Sequence, residues 1–257
     1  MLEKIKKIKG YKLNALDGEI GSVKEFYFDD HYWTIRYLVA ETGSWLTGKQ
    51  VLISPYALIN INNFEKSISI NLSKKQIENS PSLNSDIPVS KQFEEEYYNY
   101  YGWPTYLNGP YMWGSHHQII RDHKKWEKST STKKAFDHNL RSTYEVSGYR
   151  IQATDEEIGH VDDFVIDDET WTIRYLIIAT NNWWPGKTVM ISPQWIKRVS
   201  WSESKVYVNL SAISIKNSPE YTEESLIDRD YETKLYLHYK HQGYWGQESS
   251  NSSHCNL

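Results

Sequence analysis

The stretch DDHYWTIRYL, Asp29 to Leu38, returns as DDETWTIRYL from Asp167 to Leu176. Two carboxylates, a tryptophan and an arginine keep step in both. Paired carboxylates of this kind are either a metal or acid–base site used twice, or a turn that each half of the chain must build. Acid–base work needs a second group of shifted pKa in a pocket. A turn needs only what the stretch contains. Aspartates bond their own backbone in turns, tryptophan fills an apolar interior, and arginine pairs with a carboxylate across strands. The reading is therefore a structural hairpin motif. It consists of Asp29, Asp30, Trp33 and Arg36, repeated as Asp167, Asp168, Trp171 and Arg174.

Working outward, a shift of 138 positions aligns the two halves without a gap. Residues 10–55 match residues 148–193 at 25 of 46 positions. The register continues through INLSKKQIENSP and VNLSAISIKNSP. An internal duplication of roughly 95-residue copies follows, each within the ordinary domain range. In each copy strand signals dominate. TIRYLVAE is rich in β-branched and aromatic residues and reads as the central strand. In IGSVKEFYF the alternation of Ile20, Val23, Phe26 and Phe28 breaks, which predicts a bulge or bend near Gly21. Short strands with frequent turns predict a small barrel or sandwich. A helix closes each copy, with Ser90 capping a stripe of Phe93, Tyr97, Tyr98 and Tyr101, and Asp228 capping Tyr231, Leu235 and Tyr239.

These residues resemble the PRC-barrel family, named for the cytoplasmic domain of the photosynthetic reaction centre H subunit. The likeness rests on the DGEIGSV hairpin, the DD…WTIRYLV strand and the W..GK..LISP segment, over about residues 8–80 and 146–218. It implies a mainly β protein of two small antiparallel barrels, each followed by one helix. It also implies little chemistry, since other members act as assembly surfaces. The expected division is a first barrel with its helix over 1–101, a linker over 102–141, a second barrel with its helix over 142–241, and a disordered tail over 242–257.

A net charge of -4 gives no support to nucleic-acid binding. The one cysteine, Cys255, leaves no internal disulfide and no thiol cluster. No run approaches the ~20 apolar residues of a spanning helix, and MLEKIKKIKGYKL lacks a signal-peptide core. The expectation is a cytoplasmic protein without membrane insertion. His116, His117 and His123 fit no structural zinc spacing and read as a solvated linker. The GK of each tryptophan loop lacks the spaced glycines of a phosphate loop. Catalytic residues, metal ligands and cofactors are all expected to be absent.

The loops TGSWLTGK and TNNWWPGK are the interaction candidates. Trp45 and Lys49, with Trp183, Trp184 and Lys187, set tryptophan beside a cation, as contact hot spots often do. Each tryptophan either stands exposed or folds back to plug a barrel end. The resulting expectation is a non-catalytic interaction module with an unidentified protein partner and a possible homo-oligomeric state. The alternatives are a small-molecule or metal ligand held between barrels, or an electron-transfer accessory by analogy with the reaction-centre subunit.

Overall fold

A computed structural model describes residues 1–43, 45–46, 51–81, 91–104, 119, 140–180, 187–222 and 227–245. Ser90, Lys49, Trp183, Trp184, Cys255, the three linker histidines and most of the expected linker and tail lie outside the described residues. In chain order the elements are β1 (Leu2–Lys4), α1 (Ile5–Ile8), β2 (Lys12–Ala15), β3 (Gly18–Asp29), β4 (Thr34–Glu41) and β5 (Val51–Ile53). A 3-10 turn at Pro55–Ala57 leads to β6 (Leu58–Asn62), β7 (Ser67–Ile70), α2 (Lys74–Glu78) and α3 (Lys91–Tyr101). The series then repeats as β8 (Leu140–Ser142), α4 (Thr143–Val146), β9 (Arg150–Gln152), β10 (Glu157–Asp167), β11 (Ile173–Ala179) and β12 (Thr188–Ile191). A 3-10 turn at Pro193–Trp195 precedes β13 (Ile196–Ser200), β14 (Lys205–Val208), α5 (Ala212–Lys216) and α6 (Arg229–His238).

The chain divides into two compact units. The first comprises Met1, Glu3–Val146 and Phe164–Arg174, and the second Leu2, Ser147–Asp163 and Tyr175–Leu257. One sheet runs β5-β4-β3-β2-β7-β6 with β8 beside β3; the other runs β12-β11-β10-β9-β14-β13 with β1 beside β10. Central placement of TIRYLVAE explains its burial. Thr34 to Ala40 are all buried, and β4 has a neighbour on each side.

Two parts of the barrel expectation need correction. The sheets are mixed, not antiparallel: β2 runs parallel to β7, and β9 to β14. Counting sense along the ladder, β5 and β6 run the same way, because the 3-10 turn between them does not reverse the chain. The strand after that turn therefore brings β7 back beside β2 in parallel. Nor does a ladder close either barrel among the described residues. The two ends of the first ladder, β5 and β6, are consecutive in the chain and joined only by the 3-10 turn.

A helix covers that opening instead. Tyr97 on α3 donates its hydroxyl to the Leu52 carbonyl at 2.8 Å and accepts the Ser54 N–H at 3.2 Å. Tyr98 shares a 3.3 Å hydrogen bond with the Ser54 hydroxyl. The aromatic stripe of α3 is thus anchored to the end of β5. In the second unit Trp195, in the matching turn, packs on Tyr236 and Tyr239 with centroids 5.2 and 4.6 Å away.

The expectation of one helix per half is also too simple. Ser73 accepts the Gln76 N–H, and the Gln76 side chain accepts the Ser73 N–H. This capping box starts α2 directly after β7. Ser211 caps α5 in the same place. At α6 Asp228 accepts the Tyr231 N–H at 2.8 Å, the cap that the sequence predicts.

Candidate interaction surfaces

The repeated aspartate stretch forms a tied hairpin. Asp29 accepts the Tyr32 N–H at 2.6 Å with one oxygen and the Arg36 guanidinium at 2.5 Å with the other. Both side chains of the pair are fully buried. Trp33 closes the turn with its N–H on the Asp29 carbonyl and a left-handed φ of 55°. Its ring stacks on Phe28 at 5.2 Å. The later stretch repeats this construction. Asp167 accepts Arg174 Nη2 at 2.9 Å and the Glu169 N–H at 3.0 Å, and Trp171 takes φ 58°. Burial works to raise the Asp167 pKa, but the Arg174 bond and charge and the backbone donors outweigh it. They hold the carboxyl below its usual range.

Within the first unit the two stretches meet. The Ile35 N–H donates to the Trp171 carbonyl and the Ile173 N–H to the Trp33 carbonyl, each at 2.7 Å, about a single Thr34–Thr172 bridge. Asp30 pairs with Arg141 at 3.2 Å, and Asp168 with the Met1 ammonium. Every carboxylate of the motif is therefore committed to a partner, Asp29 and Asp167 within their own hairpins and Asp30 and Asp168 to distant stretches of the chain.

The tryptophan loops are described in part. Trp45 is half-buried, with the Lys74 ammonium 5.9 Å above its ring. Lys187 donates its ammonium to the carbonyls of Lys216 and Ser218, the latter at 3.2 Å, so it clasps the C-terminal end of α5.

A buried Tyr–Glu pair on each closing helix escapes sequence reading. Tyr37 donates to Glu94 at 3.1 Å, and Tyr175 to Glu232 at 2.7 Å. Tyr244 adds a 2.9 Å bond to Glu232, and Arg229 an ion pair at 3.1 Å. The signal is the same 57-residue spacing in both halves. These bonds leave the carboxylates acting as anchors between strand and helix.

Burial pushes many hydroxyls of this aromatic layer upward, including Tyr56, Tyr97, Tyr98 and Tyr175, with Tyr101 and Tyr239 each pushed up to about 12. The unfolded chain ionises its tyrosines near 10, so above that pH it holds fewer protons than the native protein. Stability is intact below pH 10 and declines as pH rises further, each tyrosine adding up to about 1.4 kcal/mol per pH unit. Denaturant midpoints at rising alkaline pH should fall steeply; a flat profile would contradict this burial.

The outer surfaces differ more than the interiors. Leu16, Ile59, Phe64 and Tyr100 are large exposed residues of the first half, and Tyr144, Ile213 and Leu237 of the second. Positions 138 residues away carry Thr154, Lys197, Ser202, His238, Lys6, Lys75 and Asn99. Each exposed apolar or aromatic residue thus faces a polar one at the matching position. Ile213 and Leu237 share one neighbourhood, because His238 bonds the Ser214 carbonyl at 2.8 Å.

Comparison with known families places a PRC-barrel domain at residues 139–212, from just before β8 into the start of α5. No curated protein matches the chain. Among the described residues no helix is long and apolar enough to cross a membrane, and no group of three potential metal ligands gathers.

Proposed function

We propose that the chain is a non-catalytic interaction module in which residues 8–80 form a second PRC-type half beside the matched one. Its partners are proteins, held on two different faces. The observation that carries this reading is the divergence of the exposed apolar residues. Matching halves that bound one partner twice would keep the same side chains outside, whereas here the buried strand residues agree in character and the exposed apolar ones do not. Scattered surface apolars are ordinary, but Ile213 and Leu237 stand on two helices that the His238–Ser214 bond holds together. Linked modules with different faces bring two partners together, or raise avidity for one partner that spans both.

The test uses each half as the template for the other. Ile59→Lys with Phe64→Ser, and Ile213→Lys with Leu237→Asn, install residues that the matching positions already carry. Each pair should remove a different subset of co-purifying proteins while circular dichroism stays unchanged. Identical partner sets for both folded variants would sink the reading. Trp45→Ala is expected to act with the first set.

A further inference from the structure

The second unit holds a cleft of about 240 Å³ lined by Gln194, Trp195, Ile196, Lys197, Asn209 and His241. Five of the six side chains can donate N–H groups, and none is a carboxylate. Lys197 is exposed and makes no ion pair among the described residues. Trp195 is 3 % exposed, and its indole N–H has no hydrogen-bond partner among the described residues. A buried donor left unpaired is destabilising, so its retention beside a donor-lined cleft needs a reason. His241 lies nearly flat on the indole, with centroids 5.3 Å apart and planes at 17°. Because His241 is itself exposed, it can move aside without disturbing the core.

The matching positions of the first half show what the fold alone requires. There Tyr56, Ala57, Leu58, Ile59, Asn71 and Trp103 occupy the same places in sequence. Trp103 stacks on Tyr56 at 5.8 Å, so a ring placed after the closing helix is common to both. The cation and the buried indole donor are not. Ile59 stands where the second half has Lys197, and Ala57 where it has Trp195. The cation and the buried indole donor are therefore additions to a scaffold that works without them.

We propose that this cleft binds a phosphate group, free or as a monoester. Its donors come from the 3-10 turn, from β13 and from the end of β14, and His241, on the segment after α6, swings off the indole to admit the ligand. A tetrahedral oxyanion offers acceptor oxygens in several directions, whereas a carboxylate offers two oxygens in one plane. The lysine supplies the charge, and the amides and the indole N–H fix the orientation.

The experiment is a titration of the ¹⁵N-labelled full chain with inorganic phosphate, glycerol phosphate and acetate at matched ionic strength. The Trp195 indole N–H, assigned by through-bond spectra among 11 tryptophans, is the reporter. Phosphate or its monoester should shift this resonance saturably while acetate does not, and the tighter of the two assigns free or esterified phosphate. Lys197→Ile, the residue of the matching position, should weaken binding at least about tenfold, as expected for loss of a charged hydrogen bond. An unsaturable drift, an equal response to acetate, or unchanged affinity in folded Lys197→Ile protein would overturn the assignment.

Discussion

Replacing Asp29 with Ala should lower the stability of the first unit by about 3–5 kcal/mol, the range for stripping one partner from a buried ion pair. Arg36 would be left charged in a site where neither member of the pair reaches water. The Tyr32 N–H would lose its acceptor in the same step. The matching replacement, Asp167→Ala, is the internal control. Its ion pair with Arg174 is 9 % and 17 % exposed, so water can approach the stranded guanidinium. The loss there should be about 1–3 kcal/mol, that of a charged hydrogen bond. Asp29→Asn keeps an acceptor for Tyr32 and should fall between the two. Denaturant unfolding of the three variants checks the order. If Asp29→Ala cost no more than Asp167→Ala, the buried pair would not be what ties this hairpin.

The hairpin was legible in the sequence because its bonds are local. An aspartate reaching the N–H three residues on, and an arginine seven residues away on the next strand, leave their spacing in the chain itself. The same holds for β4, whose β-branched and aromatic residues mark it as the central strand, and for the Asp228 cap. The parallel pairs β2–β7 and β9–β14 were not legible. They depend on whether a three-residue turn reverses the chain, and nothing in SPYAL or SPQWI states its direction. Glu94 and Glu232 were hidden for another reason. On a helix a glutamate reads as part of the wet face, and only the tyrosine brought up by a distant strand makes it an interior residue. The donor-lined cleft was hidden likewise, since Lys197, Asn209 and His241 come together only through strand pairing and helix packing. The surface differences were present in the sequence from the start, but exposure decides which of many substitutions between the halves lie outside.

Gly21→Ala should be the most damaging change of a single methyl group in the first unit, and Gly159→Ala its counterpart in the matching strand. Gly21 has φ +137°, and a Cβ built there lies 2.0 Å from the Glu41 carbonyl oxygen and 2.9 Å from the Thr42 Cα. At Gly159, φ +153°, the Cβ meets the Ala179 carbonyl oxygen at the same 2.0 Å. Carbon and oxygen come no closer than about 3.3 Å even in favourable C–H contacts. The obstacle is backbone, so no side chain can swing aside; β3 must part from β4 where Ser22 pairs with Glu41. The ladder register slips beside this glycine, between Leu13 and Asn14, and again between Glu157 and Gly159. This is the bulge that the broken alternation predicts, and its sharp bend brings the neighbouring strand so near. Backbone strain and overpacking together should cost about 2–6 kcal/mol. Gly10 and Gly148 separate the two contributions. They also have positive φ, +82° and +93°, but nothing lies within 4 Å of a Cβ at either place. Alanine there should cost only the left-handed penalty of about 1–2 kcal/mol. Thermal unfolding of the four alanine variants should therefore divide into a severe pair and a mild pair. Four equal losses would mean that conformational strain alone, and not the approach of β4, demands glycine at the bend.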